Sequence, residues 1–212
     1  MKLFALTGGI GSGKSSVASR LTERGCVIVD SDLIVRGLQQ PGMPVVLAMV
    51  EALGPTIVDE QGALIRPAVA ELVFNDPEKL KALNKIMAPA IRAETDRQTL
   101  EAAESGRPVV QDIPLRVETL KGRPPYSGII VVDVDPEVAV HRLVTFRGFT
   151  EADARARIAK QSTRDQRLAI AGFVVDNGGT EADLDRRVEQ CWAWMQRCPE
   201  VPVPGPTEAA PA

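Results

Sequence analysis

The sequence has few cysteines, a single histidine and no long apolar run. Its three cysteines, Cys26, Cys191 and Cys198, are scattered and odd in number, which favours neither a disulfide framework nor a metal site and fits a reducing compartment. His141 has no second histidine and no thiol near it in the sequence. We therefore interpret it as a packing or surface residue.

Neither sign of charge is in large excess. The net charge is −3 and the pI is about 5.4, so no basic field favours a nucleic acid or a membrane surface as a partner. No apolar stretch is long enough to span a bilayer, and no signal-peptide pattern precedes the first predicted strand. With 212 residues, 44% of them hydrophobic, we expect one globular cytoplasmic domain with small inserted subdomains.

The pattern that carries the most chemistry is GGIGSGKS at residues 8–15, which matches G-x-x-x-x-G-K-[ST] without a mismatch. An apolar run at 2–7 predicts a strand before it, and the spacing over 16–24 predicts a helix after it. The glycines let backbone N–H groups approach phosphate oxygens. Lys14 would meet the β- and γ-phosphates, and the Ser15 hydroxyl would bind Mg²⁺. We predict a nucleoside triphosphate site; the alternative is a Gly-rich linker that matches by chance.

Acidic residues lie at two other predicted strands, the second at 26–29 and the third at 109–115. In open parallel sheets, ligands bind outside the carboxyl ends of the strands, so Asp30 and Asp32 could face the same crevice as the Gly-rich loop. Either could accept a proton from a substrate hydroxyl or help to hold a metal. The alternative is that Asp30 or Ser31 merely caps a helix that starts at Leu33. Asp112 occupies the position of a Walker-B-like acid, with a solvated loop aspartate as the equally weighted alternative.

The segment between the second and third predicted strands is mostly helical and longer than an ordinary crossover. Prolines begin predicted helices at Pro44 and Pro67, a third helix covers 78–87, and Pro89 opens a fourth that runs to about Ala103. An inserted substrate-binding subdomain explains this excess. Helical padding on the sheet is the alternative.

The second half of the chain predicts two more strands, at 129–134 and 173–176, and a last helix at 181–197. Between those strands the chain is rich in arginine, which suits a lid that closes over phosphates. A solvated helix with paired charges is the alternative for most of these arginines, but for Arg147 we favour a functional role. Asn177 could contact a base or simply form a turn.

Several separate motifs, in order, closely resemble those of dephospho-CoA kinases: residues 6–15 (LTGGIGSGKS), 29–32 (VDSD), 112–118 (DIPLRVE), 142–148 (RLVTFRG), 161–167 (QSTRDQR) and 176–178 (DNG). The resemblance extends from residue 2 to about residue 192. It implies an α/β P-loop fold with a five-stranded parallel sheet, a helical acceptor-binding insert and a lid. It also implies transfer of the γ-phosphoryl group of ATP to the ribose 3′-hydroxyl of dephospho-CoA, with Mg²⁺, in the last step of coenzyme A synthesis.

The same resemblance implies roles for individual residues. Lys14, Asp32 and Arg147 would be catalytic, with Asp32 near the acceptor hydroxyl, and Ser15 would bind the metal. Pro114 and Leu115 would join Asp32 in binding the acceptor. The residues that would bind ATP are Gly9, Gly11, Ser12, Gly13, Lys14, Ser15, Ser16 and Asn177.

The implied organisation is a single kinase domain over residues 1–198. Its core would comprise 1–32, 105–141 and 169–198, its insert 33–104 and its lid 142–168; a disordered, Pro-rich tail would cover 199–212.

The chain departs from the family's usual residues at three positions: Ala88 replaces His, Arg116 replaces Leu, and Gly172 replaces Asp. The first two fall in segments assigned to acceptor binding, and the third would loosen the nucleotide end. Two other functions stay open: a P-loop kinase for a nucleoside monophosphate or a sugar acid, and a non-catalytic ATP-binding regulatory protein.

Overall fold

A five-stranded sheet forms the centre of the fold in the computed structural model, which describes residues 1–113 and 125–203. Its neighbouring strands follow the order β2-β3-β1-β4-β5, and β1 pairs in parallel with β3 and β4, as β4 does with β5. The α/β fold with a five-stranded parallel sheet is therefore confirmed. The strands are β1 (Leu3–Gly8), β2 (Val27–Asp30), β3 (Val109–Asp112), β4 (Gly128–Asp133) and β5 (Phe173–Asp176).

Helices account for most of the remaining described residues: α1 (Lys14–Glu23), α2 (Ser31–Leu38), α3 (Pro44–Leu53), α4 (Arg66–Asn75), α5 (Pro77–Ala103), α6 (Pro136–Arg147), α7 (Glu151–Ala159), α8 (Arg164–Ala169) and α9 (Glu181–Arg197), with a 3₁₀ turn at Pro55–Ile57. The chain divides into two compact units. Of the described residues, the sheet unit contains 1–29, 99–113 and 125–203, and the helical unit contains 30–98. The helical unit begins and ends a few residues before the predicted insert.

The core of the sheet unit explains why its strands are nearly continuous apolar runs. Leu3, Phe4 and Leu6 of β1 are fully buried, because β1 is a central strand with neighbours on both sides. Val17 and Leu21 of α1 belong to one buried apolar cluster with Phe4 and Leu6. This packing fixes the end of β1 and the start of α1, the two elements that flank the Gly-rich loop.

One long helix, most of which belongs to the helical unit, replaces two predicted ones. α5 runs from Pro77 to Ala103 with Pro89 in its interior, so the prediction that Pro89 opens a separate helix was wrong. A proline removes one hydrogen bond and crowds the preceding turn. Met87 and Ile91, on either side of Pro89, pack into the apolar cluster of this unit, and this packing holds the helix together across the proline.

The first residues of the predicted tail also differ from expectation. The Val201 N–H donates to the Met1 carbonyl at 2.8 Å, and the Met1 amino group donates to the Val201 carbonyl at 2.9 Å. Residues 199–203 are therefore held against the start of the chain, whereas 204–212 lie outside the described residues. No helix in the described part of the chain has both the length and the apolar character needed to cross a membrane.

Candidate active site

The Gly-rich loop connects β1 to α1 in the predicted arrangement of strand, loop and helix. Gly11 and Gly13 have φ angles of 79° and 82°, in the left-handed region that side chains with a Cβ rarely adopt. A side chain at Gly11 would also be too close to α6, because a Cβ there would lie 2.9 Å from the carbonyl oxygen of Ala139. Gly13 precedes the first residue of α1, so the helix presents its unpaired N–H groups and the positive end of its dipole at the loop.

Lys14 and Asp112 bring opposite charges together beside this loop. The Lys14 ammonium donates to Asp112 Oδ1, and the exposed fractions of the two side chains are 23% and 7%. Asp112 is the buried last residue of β3 and pairs in register with Leu6 of β1. It is therefore not a solvated loop aspartate, and it has the position expected of a Walker-B-like acid.

Arg142 of α6 is a cation of the site that the sequence alone did not single out. Its Nη2 donates to the Asn177 carbonyl at 2.8 Å. Its Nη1 is buried with no hydrogen-bond partner among the described residues, and it lies 3.7 Å from where a Cβ of Gly13 would be. Helical spacing explains its position once α6 is in place: Ala139, three residues earlier, is buried against the loop, so Arg142 lies on the same face of α6.

Asn177 and Arg147 also lie at the loop, in different ways. The Asn177 side-chain amide is buried and donates to the Ser12 carbonyl at 2.7 Å, so it holds the loop in place. Arg147 lines a cavity of about 250 Å³ together with Gly13 and Phe146. Predicted ATP-binding residues in the same lining are Gly11, Gly13, Ser15, Ser16 and Asn177.

A second group of contacts joins the predicted lid to the other side of the loop. Gln161 accepts a hydrogen bond from the Ile10 N–H at 2.9 Å. Arg164 binds the buried carboxylate of Asp133 through two nitrogens, at 2.6 and 3.0 Å. A Cβ at Gly9 would lie 3.0 Å from Arg167 Nη2, and burial lowers the pKa of Arg167.

In the helical unit, the two candidate aspartates lie in different environments. Asp30 Oδ1 accepts from the backbone N–H groups of Asp32 and Leu33 at 2.8 and 3.2 Å, which makes Asp30 the N-cap of α2. The Asp32 side chain is exposed in the first turn of that helix. Ala88 is exposed in α5, and Pro114, Leu115 and Arg116 lie outside the described residues.

Gly172 is explained by packing. A Cβ at this position would lie 2.9 Å from Trp194 Cζ2, and one at Gly128 would collide with the same ring. Trp194 also packs on Phe173, with ring centroids 5.4 Å apart. A side chain at Gly172 would displace Trp194. The glycine therefore leaves room for the packing of Trp194 on Phe173.

Comparison with known proteins agrees with this geometry. A family model described as dephospho-CoA kinase matches residues 2–183. This chain belongs to the dephospho-CoA kinase family. It is 46% identical to a dephospho-CoA kinase from Streptomyces avermitilis, over 91% of this chain and 93% of the relative. It is 42% identical to one from Thermobifida fusca, over 93% of this chain and 98% of the relative.

Solved structures show the same fold. A crystal structure of a Thermus thermophilus protein aligns with a TM-score of 0.74 and 31% identity, covering 91% of this chain and 97% of the other. A dephospho-CoA kinase from Campylobacter jejuni aligns with a TM-score of 0.62 and 22% identity, covering 92% and 97%. The motifs within the described residues therefore lie on this fold.

Proposed function

We propose that this chain transfers the γ-phosphoryl group of ATP to the ribose 3′-hydroxyl of dephospho-CoA, the final step of coenzyme A biosynthesis. The observation that carries the proposal is the convergence of Lys14 and the unpartnered Arg142 N–H on the Gly-rich loop, in a member of this family. These relatives favour neither alternative considered from the sequence, another small-molecule kinase or a non-catalytic ATP-binding regulatory protein. We place the reaction in the cytoplasm, where the three free thiols would stay reduced.

Donor binding follows from the loop. N–H groups from Gly11 to Ser16, at the start of α1, would surround the phosphates. In the structure, the Lys14 ammonium contacts Asp112, and it would turn to the β- and γ-phosphates when ATP binds. The buried Nη1 of Arg142 is a donor that a phosphate oxygen would satisfy. The transferring group is therefore stabilised by cations already at the site.

The oxygen donors beside the loop fit Mg²⁺. Ser15 provides an exposed hydroxyl, and Asp112, the partner of the adjacent Lys14, provides a carboxylate; Mg²⁺ prefers such oxygen ligands. We propose that these two residues hold the ion of Mg-ATP. When bound, Mg²⁺ neutralises charge on the transferring phosphoryl group.

For the acceptor, we propose Asp32 as the residue that orients the ribose hydroxyl and accepts its proton. The capping carboxylate of α2 is Asp30, so Asp32 is exposed and available for this role. Pro114 and Leu115 stay proposed acceptor contacts, on the family's pattern. Arg147, which lines the cavity beside the loop, is proposed to add positive charge as the phosphoryl group transfers.

The test is ADP release from Mg-ATP, measured with and without dephospho-CoA, with Lys14→Ala as the control. We expect turnover that depends on dephospho-CoA and is lost in the control. Binding of ATP without turnover on dephospho-CoA would overturn the proposed acceptor. It would then direct attention to Ala88 and Arg116, where the chain departs from the family's usual residues.

A further inference from the structure

One residue of the Gly-rich loop that the nucleotide motif leaves unspecified packs against the arginine-rich helices. Ile10 occupies an x position of G-x-x-x-x-G-K-[ST]. Its side chain packs against the apolar cluster that α6 and α7 form between them. The buried members of that cluster are Val140, Leu143 and Ala154, and Ile158 of α7 also packs against it.

The backbone of Ile10 is held by the same part of the chain. Its N–H donates to Gln161 Oε1 at 2.9 Å, just beyond the end of α7. Arg164, three residues later, is fixed to the buried Asp133 at the end of β4 by bonds of 2.6 and 3.0 Å. Gln161 is thus attached to the sheet through a short, anchored segment and cannot move far from the loop.

α7 packs mainly on α6, and the loop adds Ile10 to the edge of the same cluster. Ile10 and Ile158 both pack against this one buried cluster, whereas the bonds of Arg155 to Glu137 join α7 to α6. An ordered Ile10 therefore favours a docked α7, and a docked α7 favours the loop conformation that surrounds phosphates. Such coupling is reciprocal, since each partner changes the stability of the other by the same factor.

We propose that Ile10 and Gln161 are positioning residues that couple nucleotide occupancy of the Gly-rich loop to docking of α7. When phosphates order the loop, Ile10 is fixed in the α6–α7 cluster and α7 is stabilised. When the loop is empty, Ile10 is less constrained and α7 opens more often. The inference rests on the nucleotide-binding half of the proposed function and needs no particular acceptor.

The test is hydrogen exchange of the peptide that covers α7, with and without saturating Mg-ADP and no acceptor present. In the unmodified chain we expect ADP to slow exchange in α7. In Ile10→Ala and in Ile158→Ala, ADP still binds but this protection is lost. Arg155→Gln is the matched control, because it weakens the attachment of α7 without altering the loop contact, and it should keep the ADP-dependent protection.

Gln161→Met tests the backbone contact with a side chain of similar shape that is a poor acceptor. We expect the dissociation constant of ADP to rise about two- to tenfold, with an unchanged melting temperature of the nucleotide-free protein, which a purely structural role would lower. Full protection of α7 in Ile10→Ala, or no effect of ADP on α7 in the unmodified chain, would overturn the inference. Failure of the proposed acceptor would leave both measurements unaffected.

Discussion

Replacing Arg142 is the sharpest test of how the donor phosphates are bound. Its Nη2 is engaged by the Asn177 carbonyl at 2.8 Å, and its buried Nη1 has no partner among the described residues. A guanidinium can bind both groups at once through its planar fork, and a lysine ammonium cannot reproduce that geometry. We therefore expect Arg142→Lys to lose much of the function even though it keeps the charge.

The size of the effect follows from the contact that is lost. A hydrogen bond to a charged group contributes about 1.5–3 kcal/mol, and about 1.4 kcal/mol corresponds to a factor of ten. Arg142→Ala should lower kcat/KM for Mg-ATP by about ten- to a hundredfold, with most of the loss in kcat if the contact strengthens as the phosphoryl group transfers. KM for dephospho-CoA should hardly change.

Steady-state kinetics with each substrate varied in turn give the answer. His141→Ala is the matched control, because His141 is the exposed neighbour of Arg142 on the same helix and should leave both parameters unchanged. Thermal unfolding of the variants should show only the small cost of losing the bond to Asn177. An Arg142→Ala variant within twofold of the unmodified kcat/KM would refute the assignment of Nη1 to a phosphate.

Three further predictions concern catalysis and stability. Lys14→Ala should cost more kcat than Asp32→Asn, because phosphoryl transfer depends mainly on positioning and charge neutralisation; the reverse order in the same assay would contradict this. Gly172→Asp, which restores the family's usual residue, should lower the free energy of unfolding by about 1–3 kcal/mol, and a Trp194→Leu background should remove that cost in urea unfolding. Burial raises the pKa of Cys26 to about 12, so its thiol ionises more readily in the unfolded chain. Its contribution to stability is complete below about pH 8.5 and is lost as pH rises toward 12, and Cys26→Ala should make the urea midpoint less dependent on pH there.

The elements that sequence predicted well are those with strong local patterns. The strands are nearly continuous apolar runs, and the Gly-rich loop combines a spaced motif with a strand before it and a helix after it. Asp112 could be predicted only as one of two alternatives, because polar Gln111 precedes it and apolar Ile113 follows it. Its bond to Lys14 needed the structure, since it joins residues far apart in the chain.

The features that sequence missed depend on contacts between distant segments. Arg142 could not be separated from the other arginines until α6 was packed on the loop, with Ala139 against Gly11. No local sequence pattern predicts the hydrogen bond from the Ile10 N–H to Gln161. Pro89 was predicted to begin a helix because local preference favours that position, whereas packing on both sides of it keeps α5 continuous.

Both tryptophans lie in the sheet unit, so spectroscopy can distinguish the unfolding of the two units. The chain has two tryptophans, and Trp192 and Trp194 both lie in α9 and pack against the core of the sheet unit. Residues 30–98 contain none. Intrinsic tryptophan fluorescence will therefore report unfolding of the sheet unit alone, whereas far-ultraviolet circular dichroism includes the helices of both units. A difference between the two transitions, recorded on one sample, would measure how independently the helical unit unfolds.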